Sequence, residues 1–246
     1  LPAPLRDCAP SGVLVARPMT GHRLVIDIWS DVMCPWCLIG YGQLTKALKE
    51  LEGEIAAEVR WRPFELNPQM PPAGEEQEAH LQRKYGRPAE EGAEVRGRMK
   101  SIAESAGVSL SYEGEGEAPP AMMWNTRDCH KLLAFALEQA GPEVQTALKL
   151  ALFRAHFNQR RDLSDRSVLL DIAAAAGLHR EAAKAALDDP ALEARVIAEE
   201  QQAWDMNISG VPAIVVEGKF LIPGAQTPEV YVNALRRVAA KVRAAG

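Results

Sequence analysis

Two cysteines separated by two residues stand in the stretch SDVMCPWCLIG, which runs from Ser30 to Gly40. The pair, Cys34 and Cys37, could form half of a zinc site or a redox-active dithiol. A structural zinc site needs four ligands, commonly two such pairs or a Cys pair with a His pair. The chain has one CxxC pair, and none of its five histidines stands at a ligand spacing from it. The sequence therefore favours redox chemistry, and no metal is expected.

The residues around the pair give a physical reason for Cys34 to ionise. A segment rich in β-formers, His22–Trp29, precedes the pair and a helical apolar spacing follows it. Cys34 is thus expected near the N-cap of a helix, with Pro35 at the first helical position. The unpaired N–H groups and the positive end of the helix stabilise a thiolate there. We therefore expect Cys34 to be the nucleophile and Cys37, one turn later, to resolve the mixed disulfide.

Trp36, between the two cysteines, allows two interpretations. Its ring would offer a flat apolar surface to a substrate chain, or it would only pack locally. The sequence leaves both open.

A proline far along the chain is the second candidate site feature. The stretch SGVPAIVV places Val211 and Pro212 at the start of a predicted strand. A proline there is either simply tolerated, because the first residue of a strand need not donate to the ladder, or part of a cis-proline loop packed against the cysteines. Cis bonds are only about 5–6% of X–Pro bonds in folded proteins, so the proline alone is weak evidence. The order of the elements around it favours the functional interpretation.

The elements that must position these residues follow a clear order. A strand, a helix and a second strand come first, the second strand lying in AAEVRWRPFELNP. A hairpin with strands Ala213–Val216 and Lys219–Ile222 follows near the end, and Thr227 begins the last helix with Pro228 at its first position. Between them, the pattern of apolar and polar residues is almost entirely typical of helices. The predicted helices of this block are Glu75–Tyr85, Pro88–Ala106, Met123–Gln139, Pro142–Phe157, Asp165–Ala176, His179–Leu187 and Pro190–Met206. The fold class is therefore α/β, one sheet layer interrupted by a helical insertion.

Two local features of the helical block carry expectations of their own. Ser164 is predicted to cap the helix that begins at Asp165, and Gly177 to follow its end. The acidic, glycine-rich segment GVSLSYEGEGEAPPA, residues 107–121, would either be mobile or close over a neighbouring surface.

The composition excludes several classes of function. The 246 residues carry a formal net charge of −5, with acids and bases interspersed, so a nucleic-acid partner is not favoured. No apolar run approaches the roughly 20 residues that a membrane span needs. Cys8 and Cys129 are isolated and do not make a disulfide framework. A cytoplasmic protein is the default expectation.

Five stretches together resemble a known family: SDVMCPWCLIG, RPFELNPQM, NTRDCHKLL, DLSDRSVLLDIA and ISGVPAIVVEGKFLIPGAQ. They are similar to the FrnE-like branch of the DsbA oxidoreductases, from about Arg23 to the end of the chain. The resemblance implies a thioredoxin-like fold with a helical domain inserted between its second strand and the cis-proline loop. The implied domains are a flexible tail at 1–22, a discontinuous thioredoxin-like domain at 23–74 and 208–246, and an inserted helical domain at 75–207.

The resemblance also implies the chemistry. Cys34 would be the exposed nucleophile of a protein-disulfide oxidoreductase or isomerase, Cys37 the resolving thiol, and Val211 and Pro212 the contact to the substrate backbone. The substrate would be a protein or small-molecule disulfide, glutathione would be a candidate co-substrate, and no other cofactor is expected. The chain would act as a monomer or homodimer. DsbA has a His between its cysteines where this chain has Pro35 and Trp36, so we expect a less oxidising couple.

Three departures or alternatives stay open. Cys129 stands where the family usually has a small residue, and it would be a third redox thiol or, more in keeping with its helix, a buried small hydrophobe. Asp27 and Asp31 lie close to the pair, and Asp31 is expected to cap the turn before it. The alternative function is a glutathione-dependent isomerase or transferase of aromatic compounds, similar to 2-hydroxychromene-2-carboxylate isomerase. Those enzymes usually have Ser in place of the first cysteine, and a non-enzymatic adaptor with a vestigial pair is a third possibility.

Overall fold

The computed structural model describes residues 21–86 and 89–245. In chain order the elements are β1 (His22–Ser30), α1 (Pro35–Glu50), β2 (Ile55–Pro63), β3 (Glu75–Glu76), α2 (Gln77–Tyr85), α3 (Ala89–Ala106), β4 (Met122–Met123), α4 (Arg127–Phe157), α5 (Arg166–Ala175), α6 (Arg180–Asp188), α7 (Pro190–Asp205), β5 (Ala213–Val216), β6 (Phe220–Pro223) and α8 (Pro228–Ala245). None of the described helices is long and apolar enough to cross a membrane.

A four-stranded sheet in the order β2-β1-β5-β6 forms the centre of the fold. β1 pairs in parallel with β2, and α1 makes the crossover that a parallel connection requires. β5 pairs antiparallel with β1 and with β6, although about 180 residues separate β1 from β5. The helices from α2 to α7 interrupt this sheet, which confirms the predicted α/β class with a largely helical insertion. The boundaries of the two predicted domains stay a prediction, and Cys8 with most of the predicted tail lies outside the described residues.

The α1 helix and the last helix, α8, pack against the sheet and bury the main core. Leu24, Ile26 and Ile28 alternate inward from β1 and meet Leu44 of α1 and Leu235 of α8. From Ile26 to Ser30 every residue of β1 is buried, so both faces of this strand are covered. A second core, centred on Cys129, Leu132 and Leu152 of α4, lies among the inserted helices and also contains Val32 and Met33. The loop that carries the cysteine pair therefore lies where the two cores meet.

Helix α4 covers the free edge of the sheet through one buried side chain. The Gln145 amide oxygen accepts a hydrogen bond from the Trp61 backbone N–H at 2.9 Å, and its amide nitrogen donates to the Trp61 carbonyl at 2.8 Å. The same nitrogen donates to the Leu133 carbonyl at 3.2 Å. Gln145 thus takes the place of a neighbouring strand at β2, whose unpaired backbone groups would otherwise be costly to bury.

The two helices predicted at 123–139 and 142–157 form one element with a break. Gly141 has φ 87° and ψ 178°, and Pro142 follows it, so the helical hydrogen-bond ladder stops there. The first part begins at Arg127 rather than Met123. Met122 and Met123 instead pair with β3, and the Asn125 side chain accepts from the Arg127 N–H at 3.0 Å.

The predicted cap of α5 is wrong by one residue. Asp165, not Ser164, is the N-cap, and its side chain accepts from the Ser167 N–H at 2.7 Å. The Ser164 hydroxyl donates instead to the Pro72 carbonyl at 2.9 Å. Gly177 follows the end of the helix with φ 100°, as predicted.

The terminal hairpin has the predicted turn but a shifted second strand. Glu217 and Gly218 both have positive φ, at 54° and 63°. The second strand is Phe220–Pro223 rather than Lys219–Ile222, because Lys219 closes the turn by donating its N–H to the Val216 carbonyl at 3.1 Å.

The acidic segment at 107–121 lies against the end of α4, which favours the second of its two predicted roles. Val108 and Leu110 pack on the main core. The Asn158 side-chain amide donates to the carbonyls of Ser109 and Ser111 at 3.1 and 2.7 Å. The segment therefore forms one wall of a groove beside α1.

Gly42 provides a stability test of how α1 packs on α3. A Cβ at this buried position would lie 2.8 Å from the Ala106 carbonyl oxygen and 3.0 Å from Val108 Cγ1. We expect Gly42→Ala to lower the free energy of unfolding by about 1–3 kcal/mol, because overpacking against backbone outweighs the better helix propensity of alanine. Urea unfolding monitored by circular dichroism measures the change.

The matched control is Gly97→Ala in α3, where no described atom lies within 4 Å of the added Cβ. This change should raise the free energy of unfolding by about 0.5–1 kcal/mol. Equal stabilisation by both substitutions would contradict the packing described for Gly42.

Candidate active site

The N-terminus of α1 holds the first cysteine in the position that the sequence predicts. Cys34 is the N-cap, with extended φ −91° and ψ 109°, and Pro35 is the first helical residue. The Cys34 N–H donates to the Asp31 carbonyl at 3.2 Å, and the Cys37 N–H donates to the Cys34 carbonyl at 3.1 Å. These bonds fix a tight turn from the end of β1 into the helix. The Cys34 sulfur therefore lies at the helix end where N–H groups are unpaired and an anion is stabilised.

Cys34 is less exposed than the family resemblance implied. Only 4% of the residue is accessible to solvent, so the expectation of an exposed Cys34 is wrong. The Sγ atom lies 3.6 Å from the Val211 carbonyl oxygen, and both residues pack on the main core. The loop before β5 thus lies next to the sulfur and restricts the directions from which a reagent can approach it.

The loop at Val211 and Pro212 forms the opposite wall, as the sequence predicts. The peptide bond between them is cis. The Pro212 carbonyl accepts the Gly224 N–H at 2.8 Å, which fixes the loop to the end of β6. A Cβ on Gly40 of α1 would lie 3.1 Å from Pro212 Cγ, so the helix and the loop are in close contact. Two stretches about 175 residues apart in sequence therefore build one site.

The second cysteine is fully enclosed. Cys37 is 0% exposed and packs in the main core. Burial raises the pKa of its thiol well above the ordinary value, and the neighbouring Cys34 raises it further. The positive charge of Lys149 acts in the opposite direction and favours the thiolate. Cys37 can reach a sulfur on Cys34 but has no direct access to a substrate.

Asp31 holds the turn in front of the pair. It is 1% exposed, and its carboxylate oxygens accept from the Met33 N–H at 3.2 Å and the Leu66 N–H at 2.7 Å. Burial raises the pKa of this carboxyl group, although the two backbone donors and Lys149 oppose the shift. The sequence-based prediction that Asp31 caps this turn is confirmed. Asp27, the other candidate acid, instead accepts from the Arg62 guanidinium at 2.7 Å.

Lys149 is the site residue that sequence reasoning missed. It lies on α4 and is 0% exposed, with its Nζ atom 3.5 Å from the Ser30 carbonyl. The ammonium also lies 5.3 Å from the Trp61 ring centroid and 5.0 Å from that of Phe153. Burial lowers the pKa of Lys149 to about 8. The signal in the sequence is faint, since a single lysine inside ALKLALF reads as an ordinary exposed helix position.

Cys129 lies on the same helix but is buried away from solvent. It is 0% exposed, and its Sγ atom contacts the Leu163 carbonyl at 3.8 Å within the second core. Burial raises the pKa of its thiol far above the ordinary value. The role of a small buried hydrophobe therefore fits better than that of a third redox thiol.

An open groove of about 410 Å³ runs beside α1, next to Leu38, the residue that follows Cys37. Its apolar lining includes Leu38, Val108 and Phe153, and Arg154 and Glu113 supply opposite charges. Phe153 also packs in the core that holds Cys34 and Cys37. Trp36 is 38% exposed, so part of its ring is available to a ligand. Concave, mainly apolar surfaces with a few polar groups are the usual form of a ligand site.

Three of the solved structures that are similar to this chain bear on its function. A probable DsbA oxidoreductase from Streptomyces coelicolor superimposes with a TM-score of 0.76 and 31% identity, covering 87% of this chain and 89% of that one. The cytosolic disulfide reductase DsbM from Pseudomonas aeruginosa, determined with GSH, gives a TM-score of 0.54 and 21% identity over 89% and 99% of the two chains. A 2-hydroxychromene-2-carboxylate isomerase gives 0.63 and 14% over 90% and 99%. The last two share the fold.

The match to a protein family is more extensive than any single motif. Residues 25–236 match the DSBA-like thioredoxin domain, a range that includes both the cysteine pair and the Val211–Pro212 loop. The chain belongs to the DSBA-like thioredoxin domain family.

Proposed function

We propose that the protein is a thiol–disulfide oxidoreductase that uses Cys34 and Cys37 as its redox pair. The observation that carries the proposal is the placement of the Cys34 sulfur at the N-terminus of α1, 3.6 Å from the Val211 carbonyl and one helical turn from an enclosed second thiol. A nucleophile that must be a thiolate is favoured at a helix N-terminus, and a resolving thiol must be near it but shielded.

The proposed reaction has two exchange steps. The Cys34 thiolate attacks a substrate disulfide, forms a mixed disulfide and releases one substrate thiolate, which takes up a proton. Cys37 then loses its proton and attacks Cys34. The Cys34–Cys37 bond forms, the second substrate thiol departs with that proton, and the pair has been oxidised while the substrate has been reduced. The same steps in reverse oxidise a substrate dithiol.

The proposal includes the narrower assignments that the sequence favours. The chain would belong to the FrnE-like branch. It would work in the cytoplasm, in keeping with the description of the Pseudomonas DsbM as cytosolic. It would need no cofactor beyond its own cysteine pair. Protein disulfides or glutathione would be the partners, since that relative was determined with GSH. Pro35, Trp36, Val211 and Pro212 would contact the substrate, and the chain would act as a monomer or homodimer.

A second candidate function follows from the shared fold of 2-hydroxychromene-2-carboxylate isomerase. The groove next to Leu38 would then hold an aromatic compound, and glutathione bound near Cys34 would supply the thiol. That chemistry does not need Cys37. The presence of both cysteines at the helix N-terminus favours the oxidoreductase, and the requirement for Cys37 separates the two.

Substituting Cys37 by alanine tests the proposal. We expect Cys37→Ala to accumulate a mixed disulfide on Cys34 when mixed with oxidised glutathione, because the enclosed thiol that would release it is gone. Turnover in a glutathione-coupled disulfide reduction assay should fall by at least about tenfold. Mass spectrometry of acid-quenched samples identifies the adduct and its residue.

Cys129→Ser is the matched control, since Cys129 is equally buried but contacts Leu163 instead of the pair. It should turn over as the unmodified protein does and accumulate no adduct. If the turnover of Cys37→Ala is unchanged, the oxidoreductase function is contradicted and the isomerase function is favoured.

A further inference from the structure

Lys149 places a full side-chain charge inside the core of the protein. Its ammonium lies over the rings of Trp61 and Phe153, which belong to the same packed cluster as Cys34 and Cys37. The one hydrogen bond it donates among the described residues is to the Ser30 carbonyl, at 3.5 Å. A buried ammonium costs several kcal/mol unless charges and hydrogen bonds compensate it. A single long bond and two rings are weak compensation, so an anion is expected nearby.

The charged or titratable groups that act on Lys149 come from α1, from the turn after β1 and from α4 itself. Cys37 and Cys34 approach from α1, Asp31 from the turn after β1, and Cys129 from α4 itself; the charge of Lys149 in turn disfavours protonation of His130. The strongest interaction that favours its charged form is with Cys37, followed by Asp31. Burial lowers the pKa of Lys149 to about 8, so near pH 7 Lys149 is still charged in most of the molecules.

Cys37 has the complementary problem. Its thiol is fully enclosed, and burial and Cys34 both raise its pKa. The second exchange step needs a thiolate at that position, in a place where water cannot solvate the charge. Among the described side chains, Lys149 is the one whose charge favours the Cys37 thiolate.

We infer that Lys149 is a positioning residue for the resolving step, in which its buried ammonium stabilises the Cys37 thiolate that attacks Cys34. The inference rests on the proposed function and extends it to Lys149, a residue of α4 that lies more than 100 positions after Cys37 in the sequence. In this step the Cys37 proton leaves, the Cys34–Cys37 bond forms, the bond from Cys34 to the substrate breaks, and the departing substrate thiolate takes the proton. Lys149 keeps its own proton throughout.

The pH profile of the resolving step gives this role a distinct signature. Below about pH 8 Lys149 is charged, and the rate should rise tenfold per pH unit as Cys37 loses its proton. Above that pH, the form with a neutral amine and a thiol holds as many protons as the form with an ammonium and a thiolate. Their ratio is therefore independent of pH, and the rate should level off. A lysine that only filled space would produce no such plateau.

The experiment measures how fast glutathione leaves Cys34. Reduced protein is mixed with oxidised glutathione, quenched with acid at successive times and analysed by mass spectrometry between pH 6 and pH 9. We expect Lys149→Met to slow resolution at pH 7 by at least about tenfold and to lose the plateau, because the stabilising charge is gone. Lys149→Arg should restore most of the rate at pH 7.

Lys131→Met is the matched control. Lys131 is a second buried lysine on α4, but its ammonium donates to the carbonyl of Leu187 at 2.6 Å, and Leu187 belongs to the second core, which does not contain Cys34 or Cys37. Its resolution rate and pH profile should equal those of the unmodified protein. If Lys149→Met does not fold, Lys149→Arg decides the question, because a guanidinium stays charged up to pH 9 and this variant should keep most of the rate at pH 7 but lose the plateau.

The possible outcomes distinguish a failure of the proposed function from a failure of the role of Lys149. If no mixed disulfide forms on Cys34 of the unmodified protein, the proposed function fails. If it forms and resolves equally fast in Lys149→Met, or if the unmodified protein shows no plateau, the proposed function stands and the role of Lys149 is overturned.

Discussion

Cys34→Ser should lower disulfide exchange by at least about a thousandfold, because a serine hydroxyl cannot form a mixed disulfide. The helix N-terminus and the Val211–Pro212 loop would stay in place around the new side chain, so binding of a substrate is expected to persist without reaction. Cys37 is fully enclosed and cannot replace the lost nucleophile. Reduction of insulin by dithiothreitol, or of oxidised glutathione in a coupled assay, measures the loss.

The same substitution distinguishes a chemical from a structural role for Cys34. Cys34 is 4% exposed and its sulfur contacts one carbonyl oxygen, and serine is close to it in size, so the unfolding midpoint in urea should change little. Cys129→Ser gives the comparison, because it alters a buried cysteine that lies outside the pair. Full activity of Cys34→Ser, or an equal loss in Cys129→Ser, would contradict the assignment.

Phe153→Ala should lower the free energy of unfolding by about 3–5 kcal/mol, the usual cost of removing a buried aromatic ring. Phe153 is 0% exposed and lies 6.1 Å, centroid to centroid, from both Trp61 and Phe157. It also lies under the ammonium of Lys149. The cavity left by its ring would open at the contact between α4 and the sheet, which joins the two cores of the fold.

Leu150→Ala is the control on the same helix. Leu150 is 37% exposed on the wall of the groove, so its truncation should cost less than about 1 kcal/mol. Both variants are compared by urea midpoint at equal m-value, since a change in m would indicate a different unfolding reaction. Equal costs for the two substitutions would contradict the packing of α4 described here.

Much of the fold could be predicted because its elements have strong local signals. The run of β-forming residues in β1, Pro35 at the start of α1, the Glu217–Gly218 turn and Thr227–Pro228 at the start of α8 all depend on neighbouring residues. Two of the errors, one of four residues and one of a single residue, arose where a distant partner decided the structure. Met122 and Met123 leave the predicted helix to pair with β3, and Ser164 yields its cap to Asp165 because its hydroxyl binds Pro72.

The site residues differ in the same way, since some stand in a local motif and others depend on distant contacts. Cys34, Cys37, Val211 and Pro212 stand in short motifs whose spacing carries their chemistry. Lys149 and Gln145 have no such motif, because each acts through a fold contact more than 80 residues away, with Ser30 and Trp61 respectively. In a helix of period 3.6, residues four apart share one face, so Gln145 and Lys149 form a polar stripe on α4. From sequence alone, that stripe is indistinguishable from a solvent-facing one.

A redox titration in glutathione buffers shows whether Cys34 and Cys37 form a redox pair. The protein is equilibrated across a range of ratios of reduced to oxidised glutathione, quenched with acid, and its disulfides are mapped by mass spectrometry. We expect one two-electron transition that links Cys34 to Cys37, at a potential more reducing than the roughly −120 mV of DsbA. If both thiols stay free across the whole range, or if the disulfide that forms involves Cys129, Cys34 and Cys37 are not the redox pair of this protein.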